Sequence, residues 1–523
     1  MGLSTLTTLN RFHIFVLIGW QTTIFFASQM LFTIFATYTP RWKCLSNNTT
    51  EFNRDCNLYL KCPSEDLEFE QSPFFSATIE FDWFCGYGAY YRTIFGQIQF
   101  IGVLFGTLLM APLSDRFGRK PVGLTCLTFG LTLLAMTSLS PTGYTLLTIR
   151  FMVAILMGGS LVVIATYTME IIPSEHRITL RTFCNWGICR LLMTTICFYF
   201  PNWRAASIAS ALASVPALII FAFIIPESPT WLHSQGKNEK MRRSERYIAR
   251  IAGIPFEPVE HVEICRKEVK KRPNIFAIFH DKVLFGRLLV LWMMWFCSSL
   301  SSYSIDLNSA NFSGDFFVNQ WILSCPIIIS KMVSPFKFLL KNLSPFSPLK
   351  FLFLLDSNWP SFSRRTLHHF AQSVVCISFI LLTILVVIGY DGIWILLINL
   401  FGTIFLEFTW DANVLCAVES MPTQMRASAL GSCSMIARVG GIFAPLLVFF
   451  NEKWRASAYL TVATIGSCNL LTSYIWLIDT KGVDLDAVNL GVDISEKEND
   501  ENENEKGENI NGDNVKFLPN EHG

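Results

Sequence analysis

Runs of apolar residues, each roughly as long as a membrane-spanning helix, dominate this sequence. A helix needs about 20 residues, at a rise of about 1.5 Å per residue, to cross the hydrocarbon core of a bilayer. The composition agrees, since 51% of the residues are hydrophobic and only 15% are charged. We therefore predict an all-α membrane protein. Its twelve predicted spans are residues 13–36, 93–112, 121–139, 143–166, 179–200, 204–225, 286–304, 316–340, 371–390, 392–415, 429–450 and 456–478.

A pattern of acid, proline and arginine between two apolar runs occurs twice in the chain. Residues 170–177 (EIIPSEHR) return 249 positions later as residues 419–426 (ESMPTQMR). In the same way, residues 116–120 (RFGRK) are echoed at an offset of 245 by residues 361–365 (SFSRR). Two pairs at nearly one spacing predict two similar six-helix halves in parallel orientation, which is the plan of facilitator-type secondary transporters.

The runs and the repeat predict how the chain is divided. We expect an N-terminal half followed by a connector, a C-terminal half and a tail with almost nothing to bury. Residues 331–363 are irregular, because Lys, Ser and Pro interrupt the apolar run that the repeat predicts there. The predicted segments are an N-terminus at 1–12, a first half at 13–225 with an extracellular loop at 38–90, a connector at 226–285, a second half at 286–480 and a disordered acidic tail at 481–523.

The distribution of charge predicts the orientation of the chain in the membrane. Residues 38–90 carry eight acids against four bases, whereas residues 227–287 carry thirteen Lys and Arg. Positive charge favours the cytoplasmic side, so we place the connector and both termini there and expect a multi-pass protein of the plasma membrane. The balanced net charge of +1 gives no indication of nucleic-acid binding.

The polar loop after the first run carries the marks of an oxidising exterior. Its four cysteines predict two disulfides, and three pairings are open. Two overlapping acceptor sequons beside them predict glycosylation. The cysteines are Cys44, Cys56, Cys62 and Cys85, and the acceptors are Asn47 and Asn48.

Charged residues at the predicted cytoplasmic ends of the spans are candidates for a gate. An acid there can pair with a base or a helix N-terminus in one state of a carrier and lose that contact in the other. The predicted gating residues are Asp115, Arg116, Gly118, Arg119, Glu170, Arg177, Glu419 and Arg426.

Other charges lie within the apolar runs, where ionised groups are costly and therefore functional candidates. Arg190 lies 13 residues beyond Arg177, and Arg438 lies 12 residues beyond Arg426, which places both near the middle of the bilayer. Glu407 and Asp411 are four residues apart and share one helix face near the same depth. We expect these four groups to bind substrate; the alternative is that they pair with one another and only lock the helices.

Several motifs resemble those of the organic cation, organic anion and carnitine transporters, a family of the major facilitator superfamily. The motifs are residues 40–44 (PRWKC), residues 80–85 (EFDWFC) and residues 226–232 (PESPTWL). The chain departs from the family at Ser363, where a glycine is usual, and over residues 331–349.

The resemblance has implications for the binding site. Arg438 occupies a position where anion and carnitine carriers have Arg and cation carriers have an acid, and Arg190 falls at a polar pocket position. Trp295, Tyr303 and Trp410 match pocket-lining positions. Guanidinium groups offer fixed bidentate donors to carboxylates and sulfates, while aromatic faces suit apolar and cationic groups.

We therefore predict a polyspecific carrier of small organic ions, with anions or zwitterions such as carnitine ahead of cations. The coupling ion could be sodium, a proton or an exchanged dicarboxylate, and no cofactor is expected. The alternatives are a carrier of a neutral solute such as a sugar, or a non-transporting membrane sensor or scaffold. An enzyme is not expected, because the sequence has no His-rich metal cluster, nucleophile elbow or phosphate loop.

Overall fold

Long apolar helices dominate the computed structural model of the protein, which describes residues 10–45, 52–172, 185–256, 282–312, 314–332, 364–421 and 423–477. A helix satisfies all its backbone hydrogen bonds internally, as a segment in lipid must. We number the membrane helices as spans 1 to 12. The first six are Arg11–Ala27 with its continuation Phe32–Ala36, Tyr87–Phe117, Arg119–Met136, Gly143–Ile171, Trp186–Tyr199 and Trp203–Ile219, the last extended by the π-helical turn Ile220–Ile224.

The second half supplies spans 7 to 12. They are Lys282–Asn308, Phe316–Met332, Arg364–Val387, Ile393–Glu419, Thr423–Lys453 and Ser457–Trp476. Within the described ranges, nine helices are long and apolar enough to cross a membrane, and Trp186–Tyr199 and Phe316–Ile329 are shorter apolar helices. The predicted fold class is thus confirmed. Span 7 is longer at both ends than the predicted run 286–304, and its last turns include Asp306.

The polar loop after span 1 forms a small lobe held by two disulfides. Strands β1 (Trp42–Cys44) and β2 (Leu67–Phe69) pair antiparallel, and the indole of Trp42 is buried beneath them. The four predicted cysteines pair as Cys44–Cys62 and Cys56–Cys85. Asn47 and Asn48 lie outside the described residues. We call the end of the bundle that carries this lobe the disulfide face.

The connector packs against the opposite end of the bundle, which we call the connector face. Its two described helices are Pro229–Ser234 and Asn238–Ala252. The second is amphipathic: Met241 and Ile248 are buried, and Ser244 Oγ donates to the carbonyl of Glu227 at 2.7 Å. The predicted tail at 481–523 and nearly all of the irregular segment 331–363 lie outside the described residues.

The two halves meet along spans 2 and 11, near the disulfide face. A Cβ at Gly96 of span 2 would lie 2.8 Å from Pro445 Cγ of span 11, so only glycine permits this approach. The rings of Tyr90 and Phe449 touch nearby, with 5.4 Å between their centroids. Small residues at membrane interfaces let helix backbones approach closely, and here they hold the halves together at this end of the bundle.

Candidate functional site

Arg438 lies at the midpoint of span 11 and points toward span 7. Its guanidinium Nη1 donates to the Tyr303 hydroxyl at 3.5 Å, and its Nε is buried without a hydrogen-bond partner among the described residues. The Tyr303 ring in turn packs edge-on against Phe100 of span 2, with 4.7 Å between centroids. Arg438 is therefore linked through one tyrosine to the opposite half of the protein.

Two predicted acids lie on span 10 of the same half. Glu407 is half-buried and interacts electrostatically with Tyr303, whereas Asp411 is exposed. Both carboxylates have interaction partners of their own, and the pairing of Arg438 with these acids, expected as its alternative role, stays a prediction.

Two tryptophans, one on span 7 and one on span 10, contact each other. The rings of Trp295 and Trp410 meet edge to face with 5.5 Å between centroids, and the Trp410 indole donates to Ser302 Oγ at 2.8 Å. Trp295 is 7% exposed, and its indole N–H has no hydrogen-bond partner among the described residues. A buried donor without a partner costs about 1–3 kcal/mol, so an acceptor on a bound ligand would stabilise this indole.

Arg190 of span 5 is buried in a contact between the two halves. Its Nη1 forms an ion pair with the carboxylate of Asp306 on span 7, and its Nη2 donates to Gln320 Oε1 on span 8 at 2.9 Å. Gln320 is fixed in turn by its amide, which donates to Ser309 Oγ at 2.9 Å. Three helices from both halves thus converge on one guanidinium.

Span 7 connects the two arginine sites. Tyr303 and Asp306 are three residues apart, so they share one face of the helix. The first contacts Arg438 and the second contacts Arg190. The predicted pocket arginines therefore do not touch each other but flank the same helix face.

An aromatic seal closes the disulfide face above this site. Phe198 of span 5 packs edge-on against Phe317 and at a tilt against Trp321, both of span 8, with centroid separations of 5.4 and 5.1 Å. Phe35 of span 1 touches Phe316 of span 8 at 5.5 Å. These five rings form aromatic contacts that bridge the two halves.

The predicted gate at the connector face is partly assembled. Arg119 forms ion pairs with Asp115 and with Glu170, the latter at 3.1 Å. The other oxygen of Glu170 accepts a hydrogen bond from Ser228 Oγ, which ties span 4 to the connector. The Trp231 indole donates to the carbonyl of Asp115 at 2.9 Å.

Glu227 caps span 3 in this cluster. Its carboxylate accepts from the backbone N–H groups of Arg119 at 2.9 Å and Lys120 at 3.1 Å, where a negative charge favours the helix N-terminus. Glycine is favoured at position 118 because its φ of 113° is a backbone conformation that residues with a side chain rarely adopt.

The remaining predicted gating residues do not join this cluster. Arg116 stacks over the ring of its neighbour Phe117, at 5.4 Å from the centroid. Arg426 is half-buried on span 11. Arg177 and the side chain of Glu419 lie outside the described residues.

The sequence analysis did not identify two buried charged residues, Asp306 and Arg150. Asp306 lies two residues beyond the predicted end of its apolar run, so its depth in the membrane was not recognised. Arg150 lies inside the predicted run 143–166 and is 1% exposed; it donates to Gln29 Oε1 at 3.3 Å and Ser207 Oγ at 3.0 Å. An isolated charge inside an apolar run was the signal that could have identified it.

The comparisons with known proteins agree with this architecture. The sequence model described as the Major Facilitator Superfamily matches residues 93–445 of the chain. The chain belongs to the Major Facilitator Superfamily. Membership of this superfamily, and the relatives described next, indicate a transporter rather than an enzyme.

Two relatives place this facilitator more closely within the superfamily. The uncharacterized protein F23F12.3 of Caenorhabditis elegans is 32% identical over 498 residues, which cover 92% of this chain and 94% of that protein. The solute carrier family 22 member 15-like protein of Xenopus tropicalis is 26% identical over 365 residues, covering 69% of this chain and 70% of that protein. Relatives of this kind confirm the resemblance to the organic ion transporter family that the motifs predicted.

The fold is also that of a solved facilitator. The inward open structure of the xylose transporter XylE from E. coli aligns with a TM-score of 0.56 at 14% identity, and the alignment covers 91% of this chain and 96% of that one. At this identity the likeness establishes the fold alone.

Proposed function

We propose that this facilitator carries small organic ions, with anions and zwitterions favoured over cations. The observation that supports this most directly is the state of Arg438. Its described partner is a neutral phenol, and its Nε donor is buried without a partner. A cation in this state at the centre of a membrane protein is stabilised by an anionic group from a ligand.

The surroundings of Arg438 suit the rest of an organic ion. Trp295 and Trp410 present ring faces and edges to an apolar or cationic portion of the substrate. Glu407 and Asp411 lie on span 10, where they can balance a second, positive charge. Carnitine has this combination of a carboxylate and a quaternary ammonium group, so a zwitterion of that kind fits the set of groups.

Transport would proceed by alternating access between the two halves. The aromatic seal and the ion pair of Arg190 with Asp306 would close the disulfide face in one state. The cluster of Asp115, Arg119 and Glu170 would control the connector face. Both sets are contacts between separate helices. A coupling energy of about 1–3 kcal/mol is enough to shift the equilibrium between the two access states.

The proposed orientation follows from the two faces. The disulfide lobe suits the oxidising exterior, and the exposed bases of the connector helix Asn238–Ala252 suit the cytoplasm. We therefore place the protein in the plasma membrane with both termini in the cytoplasm. Sodium, a proton or an exchanged dicarboxylate are the coupling ions to test.

Uptake of a tracer panel tests the proposal. The panel contains an aromatic carboxylate, a sulfate ester, carnitine, tetraethylammonium and glucose, each measured with and without sodium, a proton gradient and internal dicarboxylate. Loss of a hydrogen bond to a charged group costs about 1.5–3 kcal/mol, so Arg438→Gln should lower uptake of the anions about 10- to 100-fold.

The matched control is Arg455→Gln, which removes an arginine whose ion pair with Asp391 is exposed. It should leave uptake of every tracer unchanged. Anion uptake that is the same in Arg438→Gln and wild type would contradict the assignment of Arg438. A wild-type protein at the cell surface that carries only glucose would contradict the proposed substrate class.

A further inference from the structure

The ion pair of Arg190 with Asp306 joins the two halves, and both side chains are buried. Arg190 is 2% exposed and Asp306 is 7% exposed. Among the described side chains, Arg190 alone donates to the Asp306 carboxylate. Arg190 belongs to the first half of the bundle and Asp306 to the second. Gln320 and Ser309 complete the contact with neutral groups.

Opening the disulfide face requires this pair to separate. Spans 5 and 8 must part, because the aromatic seal and the contact of Arg190 with Gln320 both join them. The guanidinium of Arg190 and the carboxylate of Asp306 are then no longer in contact. Breaking a buried pair leaves uncompensated charge, which strongly destabilises the separated state.

The two ions differ in how that cost can be relieved. Arginine stays charged at all physiological pH values, so its charge has to be balanced by an anion. A carboxylate can instead take up a proton and become neutral, which removes the cost of leaving it alone in the membrane. The proton is thus a ligand that favours the open state over the closed one.

We propose that Asp306 is the proton-binding site that couples this carrier to pH, and that its pairing with Arg190 closes the disulfide face when the proton leaves. The proposal rests on the proposed function, since it assumes transport by alternating access. It also makes Asp306 a built-in competitor for the substrate anion: Arg190 becomes available to a carboxylate from solution only after Asp306 has been protonated or displaced.

Other charged and titratable groups lie around this end of span 7. Tyr303 lies one turn away on the same helix, and Glu407 and Arg438 act on that tyrosine from spans 10 and 11. Tyr459 of span 12 hydrogen-bonds with Asn308 at the helix end. Arg92 of span 2 lines a cleft together with Leu307. Among these described groups, Asp306 is the carboxylate that forms the bridge between the halves.

A cross-linking assay without substrate tests the proposal in the full-length protein. Tyr90 and Phe449 touch across spans 2 and 11 at the disulfide face, so cysteines at both positions react with a short bifunctional thiol reagent when that face is closed. Cys325 and Cys468, which are exposed, are replaced by serine in the background. Labelling of Tyr90→Cys alone by a monofunctional reagent corrects for the effect of pH on thiol reactivity.

We expect the corrected cross-linking rate to fall about fivefold, near the lower end of typical coupling, between pH 7.5 and pH 5.5. Asp306→Asn, which mimics the protonated carboxyl, should cross-link slowly at both pH values. Asp306→Glu keeps a titratable group and should restore a pH-dependent rate with a shifted midpoint.

Two results would overturn the proposal. The first is a wild-type rate that does not change with pH, which is decisive whether or not the variants reach the membrane. The second is an Asp306→Asn rate with the same pH dependence as wild type. Because no substrate is present, failure here is distinct from failure of the organic-ion assignment, which the tracer panel measures.

Discussion

Gly440 follows Arg438 by two residues and lets span 11 lie directly on span 7. A Cβ at this position would lie 2.6 Å from the backbone carbonyl oxygen of Phe296 and 3.4 Å from the amide nitrogen of Leu300. Real Cβ contacts are not shorter than 3.0 Å, and backbone atoms cannot rotate away as a side chain can. Gly440→Ala must therefore move the two helices apart by at least about 0.4 Å.

The expected loss of stability follows from a comparison of Gly440 with Gly431, a second glycine of span 11. A Cβ at Gly431 meets nothing within 4 Å, so Gly431→Ala should gain up to about 1 kcal/mol from helix propensity. Gly440→Ala has the same intrinsic gain but also the cost of overpacking, about 1–3 kcal/mol. The two variants should thus differ in stability by about 1–3 kcal/mol, with Gly440→Ala the weaker.

The displacement should also reach the binding site. The hydrogen bond from Arg438 to Tyr303 is already 3.5 Å long, so separating spans 7 and 11 breaks it. The loss of one hydrogen bond, about 0.5–1.5 kcal/mol, predicts a two- to tenfold rise in KM for an anionic tracer. Gly431→Ala should leave KM unchanged.

Thermal unfolding in detergent and tracer uptake in cells measure the two effects. Gly440→Ala should unfold at a lower temperature than Gly431→Ala and show the raised KM. Equal unfolding midpoints for the two alanine variants would refute the geometric argument. A lowered midpoint with an unchanged KM would show instead that spans 7 and 11 do not position Arg438.

Three further predictions concern the faces of the bundle. At the disulfide face, burial of Glu80 opposes its ionisation, but hydrogen bonds from Arg204 and Trp203 outweigh this and lower the pKa of the carboxyl. Because the pKa of Glu80 is lower in the folded protein than in the unfolded chain, its ionised form stabilises the fold fully above about pH 4.5, and this stabilisation is lost as the pH falls through the lowered pKa. Thermal unfolding midpoints measured against pH should show this loss in the wild type and not in Glu80→Gln. At the connector face, Glu227→Ala removes the acceptor for the amides of Arg119 and Lys120 and should cost about 1–3 kcal/mol, seen as a lower unfolding midpoint; a midpoint equal to that of wild type would contradict the capping role. In the disulfide lobe, the bonds Cys44–Cys62 and Cys56–Cys85 close loops with sequence separations of 18 and 29. Serine replacement of either pair should therefore lower the free energy of unfolding by about 3–4 kcal/mol in the chain-entropy model. A reductant should lower the thermal unfolding midpoint of the wild type but not that of a variant that lacks both pairs.

The twelve spans were predictable because hydrophobicity over about 20 residues is a local property of the sequence. The repeat and the signature motifs are also short local patterns, so they indicated the family from the sequence alone. The roles of the motif residues were not local: Glu80 meets Arg204, and Glu227 meets the start of span 3, across 124 and 108 positions of sequence. Such pairings depend on how the helices pack, which no single segment encodes.

Only some features of the candidate site follow from the sequence. Counting residues from the two acid–proline–arginine motifs predicts that Arg190 and Arg438 lie at similar depths, because helix rise is constant. The same counting did not give the partner of Arg190, since Asp306 lies past the end of the predicted run and on another half of the bundle. The disulfide pairing was likewise open, as sequence spacing does not choose among three connectivities.

The most direct test of the account is a structure of the purified protein with the anion that it transports best. We predict that the carboxylate or sulfate lies within hydrogen-bond distance of the Arg438 guanidinium, with the organic portion against Trp295 and Trp410. A ligand bound elsewhere, or an Arg438 paired with Glu407 or Asp411 while the ligand is bound, would contradict the central claim that this guanidinium receives the substrate's anionic group.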